Sequence, residues 1–302
     1  MKEISPKQGM ILITSLVMIW SLNWPVTKIA LEYTPPFLFS GMRTFLGGII
    51  LLIVFLPKIR NLNLRENWGI YSISTIFNVI LYYGLQTIGL NYLPSGLFSV
   101  IVFLQPVLVG MMAWIWLQEK MTKCKFIGLI LGIIGEAVIS GGSFSGEISI
   151  VGVLLAVGTA VSWAIGTVYA KKIEQRVDVL SMIIVQFMIG GIILTAIGAS
   201  IENWRDIQLN FSYMFGLLFG AILVIALGWL IYFTLVRLGE ASKVASYMFV
   251  IPIVALMIGA LFLNEPITLN ILVGIILVTM SIYFVNRKPK KLDVARIESE
   301  QL

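Results

Sequence analysis

The chain contains no histidine and one cysteine, Cys124. Without histidine it lacks the commonest general base, proton shuttle and metal ligand, and haem held by histidine is excluded. One cysteine excludes an internal disulfide and any multi-thiolate metal site. What remains for chemistry is aromatic and amide side chains. Trp20, Asn23, Trp24 and Thr27 lie close together, and Thr159, Ser162, Trp163, Gly166 and Tyr169 repeat the pattern later. Tyr71, Thr75, Asn78, Tyr82 and Gln86 follow one another at spacings of 4, 3, 4 and 4, which is one face of a helix. Gln105, Tyr232 and Tyr247 extend the set of candidate cavity residues. Aromatic rings with a few isolated amides suit stacking on an apolar ligand and orienting it, which is recognition rather than bond-making. Two readings of the Tyr71–Gln86 stripe compete: cavity lining, and hydrogen bonding between helices. For the tryptophans the alternatives are aromatic packing or an interfacial belt, although Trp20 and Trp163 lie deep in their apolar runs.

Three charges, Lys28, Arg43 and Glu136, fall inside apolar runs. An intramembrane charge is by default a functional candidate with a partner to be named. The expectation is that Arg43 or Lys28 pairs with Glu136, leaving a net positive charge near the outer mouth. Lys28 has the alternative of snorkelling to the interface, and Glu136 that of a buried structural carboxylate. Glu119 and Glu265 each end an apolar run, an unfavourable place for a carboxylate at a helix C-terminus. A specific partner is expected, Lys123 for Glu119. Pro25, Pro106 and Pro252 interrupt helix hydrogen bonding and are hinge candidates. A catalytic constellation is missing. Asp178, Asp206 and Asp293 fall in connecting segments or the tail, a Ser–His pair is impossible, and no spacing points to a Ser–Lys dyad. Neither an enzyme, a metal site nor a cofactor is expected.

The elements that position these residues are membrane helices. Of 302 residues, 59% are hydrophobic and 12% charged, with mean hydropathy +0.97; soluble domains carry about 25% charged residues. Apolar runs cover Met10–Leu31, Phe37–Leu56, Trp68–Leu90, Ser95–Leu117, Cys124–Ser140, Ile150–Ala170, Val179–Ser200, Tyr213–Val236, Ala241–Leu263 and Asn270–Val285. Most are ~20 residues, the length that spans about 30 Å of hydrocarbon. Backbone groups in lipid must bond within their segment, so each run reads as a helix. The first run is too long for a cleavable signal. Alternate connections, starting with the N-terminus, carry nearly all of the 21 Lys and Arg, whereas the intervening ones carry only Arg205. By the positive-inside rule both termini are cytoplasmic. The formal charge of +6 and pI near 9.4 therefore report orientation rather than nucleic-acid binding. The polar tail after Asn286 reads as disordered.

The two halves repeat. Phe45-Leu46-Gly47-Gly48-Ile49-Ile50-Leu51 resembles Met188-Ile189-Gly190-Gly191-Ile192-Ile193-Leu194. Trp20 and Lys28 fall on Trp163 and Lys171; Pro106 and Glu119 fall on Pro252 and Glu265. Residues 1–145 and 146–290 are thus two five-helix units, followed by a tail at 291–302. An odd helix number places them in opposite orientation, an arrangement of secondary transporters that binds substrate where the halves meet. The fold class expected is an all-α membrane protein of ten transmembrane helices in two inverted repeats. Glu136 has Ile282 as its counterpart and stands outside the duplicated pattern. Gly128 and Gly132, with Gly274 in the Gly128 position of the second half, read as close-packing sites, within one chain or between two copies.

Trp20-Ser21-x-Asn23-x-Pro25-x-x-Lys28, together with Arg43, Pro106…Glu119 and their second-half echoes, resembles the EamA-type transporters of the drug/metabolite transporter superfamily over residues 10–286. The resemblance implies a carrier in a bacterial plasma membrane, usually an exporter of amino acids or other metabolites. It also implies that helices 1, 3, 4, 6, 8 and 9 surround a central cavity. Small multidrug relatives carry a helix-1 glutamate for proton exchange; this first run has no carboxylate before Glu32. The expected function is export of amino acids or related small metabolites by alternating access, with small-molecule substrate and lipid as partners. Efflux of cationic drugs is the alternative, and a channel or a non-transporting scaffold lies behind it. Monomer and homodimer both remain open.

Overall fold

The computed structural model describes residues 5–58, 63–93, 95–140, 149–263 and 269–287. Among these residues every regular element is helical. We label them α1 (Pro6–Leu31), α2 (Pro36–Phe55), α3 (residues 64–89), α4 (residues 95–116), α5 (Lys123–Ser140), α6 (Ile150–Lys172), α7 (Val179–Ile201), α8 (Phe211–Leu238), α9 (residues 241–263) and α10 (Leu269–Asn286). Among the described residues α1, α2, α4, α6, α7 and α8 hold six stretches long and apolar enough to cross a membrane, and shorter apolar helices join them. Large apolar side chains cover the outside: Trp114, Ile115, Phe126, Ile127, Phe211 and Phe215 are all exposed. An apolar surface of this extent matches lipid, not water.

Several helix starts are capped by polar side chains. Ser5 and Gln8 form a reciprocal capping box on α1, and Ser149, Asp178 and Asn210 accept from Gly152, Ser181 and Tyr213 N–H. Two caps come from the opposite half of the chain. Glu202, at the end of α7, accepts from the N–H groups of Phe37 (2.9 Å) and Leu38 (2.8 Å) at the start of α2. Glu119, after α4, accepts from Ala241 N–H at 2.7 Å at the start of α9. Carboxylates there satisfy orphan amides and complement the helix dipole.

Four helices depart from regularity. A wide turn at Ile76–Leu81 interrupts α3, and a second at Gly220–Gly228 interrupts α8. α4 breaks after Val102 and restarts at Gln105-Pro106. α9 passes through a tight turn at Tyr247–Phe249 before Pro252. Pro106 and Pro252, two of the hinge candidates, thus sit at breaks, whereas Pro25 lies inside an unbroken α1.

The packing maps onto itself when α1–α5 are exchanged with α6–α10. α2 lies along α7, and α5 along α10; α4 meets α9; α3 and α4 pack on α6 as α8 and α9 pack on α1. The repeated glycines make the central contact. A Cβ on Gly48 would stand 2.9 Å from the Met188 N, and one on Gly191 would stand 2.5 Å from the Phe45 N. Met188 and Phe45 are each other's counterparts, so the contact is reciprocal. Gly47 abuts Ile225 of α8, and Gly190 abuts Val79 of α3. Gly128 meets the Ser281 carbonyl and Val285 of α10, and Gly274 meets Ile139 of α5, so these close-packing glycines work within the chain. Gly191→Val is expected to cost about 1–3 kcal/mol through overpacking, read as a lower melting temperature of the purified protein, whereas Gly9→Val, with open space around it, leaves melting unchanged.

Candidate functional site

Between the halves lies a cavity of about 40 Å³. Trp20 and Asn23 of α1, Tyr82, Tyr83 and Gln86 of α3, Val102 and Phe103 of α4, Trp163 of α6, Val224 and Trp229 of α8 and Ile251 of α9 line it. These are the helices that the family resemblance implies. The wall is an aromatic cage: the Trp20 ring centroid lies 5.7 Å from that of Trp163 and 5.3 Å from that of Trp229, with Tyr232 packed behind Trp20 at 5.3 Å. Tyr82 stands 5.5 Å from Trp163 and 5.9 Å from Trp229. Rings at these tilted and edge-on spacings attract one another. Hydrogen bonds fix two of them. The Trp229 indole donates to the Tyr83 hydroxyl at 3.0 Å. Gln105 Nε2 donates to the Tyr232 hydroxyl at 3.1 Å, and Thr167 shares that hydroxyl at 2.9 Å. The Gln105 carbonyl oxygen is buried without a partner.

Small-molecule pockets run to roughly 300–1,000 Å³, so the cage is contracted here. The breaks in α4 and α9 stand beside Phe103 and Ile251 in this wall.

Arg43 lies against this wall. It is 3% exposed. Its Nη1 donates to Thr27 Oγ1 at 3.2 Å and, at 3.4 Å, to Asn23 Oδ1; Thr27 in turn donates to Asn23. Its guanidinium sits 5.3 Å from the Phe39 ring centroid and 5.2 Å from that of Tyr83. No carboxylate among the described residues pairs with it, and its Nε is unpartnered. The expected pairing with Glu136 is therefore corrected: Arg43 is held by hydroxyl, amide and aromatic groups of α1, α2 and α3, while Glu136 is buried on α5, which packs on α4 and α10. The side chains of Lys28 and Trp24 lie outside the described residues.

The structure divides the other candidates. Tyr82 and Gln86 line the cavity, but Tyr71, Thr75 and Asn78 do not. The wide turn at Ile76–Leu81 rotates the two ends of α3 relative to each other, so a stripe drawn at regular helical spacing does not stay on one face. Asn78 and Ser74 instead both donate to Gln186 Oε1 of α7, at 3.2 and 2.5 Å, and Asn78 packs against Gly166. Gln105 and Tyr232 form a layer behind the cage. Tyr169 and Tyr247 are half-buried and away from the lining. Tyr83, Phe103 and Trp229 were missed by sequence reasoning. The one signal for Trp229 was that it falls on Tyr83 at the offset relating Pro106 to Pro252.

A charged cluster closes the end of the molecule where α4 meets α9. Lys125 Nζ bridges Glu119 (3.2 Å) and Glu240 (3.1 Å), and Glu119 also accepts from Ala241 N–H and the Ser242 hydroxyl. The expected partner Lys123 is thus corrected to Lys125, whose side chain is turned inward and 4% exposed. Glu265 lies outside the described residues. Burial pushes the Glu240 carboxyl up, but hydrogen bonds from Lys243 and Lys125 outweigh it and hold the group below its ordinary 4.5. Its contribution is present above that value and is lost as pH falls through the lower folded value.

An apolar exterior, a helical bundle of two matching halves and a small aromatic cavity between them define a membrane transporter. Residues 7–141 and, again, 150–287 match the EamA-like transporter family, and the chain belongs to that family. It is a multi-pass protein of the plasma membrane. It is 52% identical to the uncharacterized transporter YvbV of Bacillus subtilis, over 98% of this chain and 97% of that one. It is 27% identical to a probable amino-acid metabolite efflux pump of Escherichia coli, over 92% of this chain and 94% of the other. A solved crystal structure 16% identical in sequence superposes with a TM-score of 0.81, covering 97% of this chain and all of that one, and so shares the fold.

Breaking a buried ion pair by removing one partner costs about 3–5 kcal/mol. Glu119→Ala is expected to approach that figure in thermal or denaturant unfolding, and Lys123→Ala to stay within about 0.5 kcal/mol of the parent.

Proposed function

We propose that this protein exports amino acids or related small metabolites across the plasma membrane by alternating access. The observation that carries the reading is a buried guanidinium without a carboxylate partner among the described residues, touching Asn23 and Tyr83 in the wall of an aromatic cavity. A carboxylate entering beside it would meet its charge-assisted donor, while the indole and phenol rings take up an apolar side chain. The relative named as a probable amino-acid metabolite efflux pump supports the same substrate class.

In this proposal the chain crosses the membrane ten times, as inverted repeats at 1–145 and 146–290, with both termini and the 291–302 tail cytoplasmic. The two family matches, the reciprocal Gly48–Met188 and Gly191–Phe45 contacts and the positive-inside pattern support it. Similar halves in opposite orientation can exchange conformations, which makes the inward- and outward-open states close in energy.

The second reading, efflux of cationic compounds, draws on the cage of Trp20, Tyr82, Trp163 and Trp229, since indole faces attract cations. Arg43 opposes it by repulsion. The two separate in proteoliposomes offered radiolabelled phenylalanine, leucine and methionine beside a cationic dye. Saturable counterflow of an amino acid is expected. Arg43→Ala is expected to slow it about 10- to 100-fold, the equivalent of losing one hydrogen bond to a charged group, at unchanged expression. Trp163→Ala is expected to raise the half-saturation concentration. Dye movement without amino-acid counterflow, accelerated in Arg43→Ala, would establish the cationic reading instead.

A further inference from the structure

One titratable group is left unused by the site described above. Glu136 of α5 is 1% exposed, and neither of its carboxyl oxygens has a hydrogen-bond partner. Carboxylates in a membrane interior are expensive and rarely kept without use. An ionised carboxylate with no donor and no countercharge is the costliest buried state available to it.

Its position adds the second observation. Gly132, one turn earlier on the same face of α5, packs against the Phe249 ring in the tight turn of α9. On the α4 side, Gly110 abuts Leu129. The two helices run antiparallel from a short connection, so Glu136, about 10 Å further along α5, stands level with the break between Val102 and Gln105. Glu136 is thus at the height of the α4 break and about 6 Å past the Phe249 turn of α9, toward Pro252. At each, a proline removes the N–H that would serve the carbonyl four residues back, those of Val102 and Met248; the Met248 carbonyl accepts from Val250 N–H instead. Phe103 and Ile251, beside the breaks, line the cavity.

We propose that Glu136 is the proton-binding site that couples movement of α4 and α9 to a proton gradient. As the carboxylic acid it can donate to the Val102 carbonyl, whose helical donor Pro106 removes; as the carboxylate it cannot, and needs water instead. The O–H bond forms when a proton is taken up and breaks when it is released, with no other reactant. In the structure neither oxygen is bonded, so the donated bond belongs to the alternative conformation. Elements packed against α5 offer no competing charge at this level among the described residues. α4 has no titratable side chain. α9 offers Lys243 and Tyr247, both before Phe249, and α10 offers Tyr283, which faces outward. On α5 itself Lys123, Cys124 and Lys125 lie at its opposite end. Arg43, the substrate-side charge, is untouched by the proton site, and the inference does not require the substrate to be an amino acid.

Infrared difference spectroscopy of the protein in liposomes tests occupancy without any substrate. A protonated-carboxyl band at neutral pH is expected, absent in Glu136→Gln and shifted in Glu136→Asp. Intrinsic fluorescence tests coupling, because Trp20, Trp163 and Trp229 line the cavity. A reversible shift between mildly acidic and mildly alkaline buffer is expected in the parent and in Glu136→Asp, and is lost in Glu136→Gln of unchanged melting temperature. A missing carboxyl band would overturn the site. A band present in the parent with the fluorescence shift unchanged in Glu136→Gln would make the proton merely structural and overturn the coupling. Failure of amino-acid counterflow with both optical results intact would sink only the substrate reading.

Discussion

Everything in this molecule depends on how closely α2 and α7 approach. In lipid there is no hydrophobic force to press two apolar helices together, so association rests on van der Waals contact over surfaces that can come near. Gly41, Gly48, Gly191 and Gly198 supply such surfaces, each meeting a backbone or Cβ-near atom of the other helix. Gly47 and Gly190 do the same for α8 and α3. Because the glycine pairs repeat in both halves, one packing solution is used twice about a shared axis. The cavity lies between the helices that this contact holds in place.

Polar groups inside the bundle sort by whether they are satisfied. Asn78 and Ser74 both bond Gln186 between α3 and α7, which ties the two helices in register, although Asn78 Oδ1 and Gln186 Nε2 are left without partners among the described residues. Glu202 and Glu119 are spent on the opening amides of α2 and α9. Arg43 and Glu136 differ. The first has a weak set of neutral acceptors and aromatic faces; the second has no partner.

The charged cluster of Glu119, Lys125, Glu240 and Ser242 sits at one end of α4 and α9, and the helix breaks at Gln105-Pro106 and Tyr247–Phe249 lie further along the same helices. One end is tied across the halves by ionic and amide bonds, and the segments beyond the breaks border the cavity. The cage of about 40 Å³ thus lies on the far side of both breaks from the ionic tie.

Much of this was legible in the sequence. Run lengths are fixed by bilayer thickness, and the need to bond every backbone group in lipid makes each run a helix; the Gly47-Gly48 and Gly190-Gly191 pairs, Trp20 and Trp163 could be placed because they recur at one offset. Arg43 was visible as a charge that a membrane helix cannot easily tolerate. The partners of those charges were not visible. Arg43 turned to α1 and Tyr83, and Lys125 rather than Lys123 reached Glu119, because side-chain direction and neighbouring helices are set by packing. Nor did periodicity foresee the wide turns in α3 and α8. A regular stripe assigned Asn78 to the cavity, and the extra rotation at Ile76–Leu81 gave that place to Tyr83. The sequence by itself determined that these helices form, pair and repeat. Only the tertiary structure decided which side chains face the space between them, since a few tens of degrees of helix rotation, invisible to composition and spacing, separate a lining residue from a buried one.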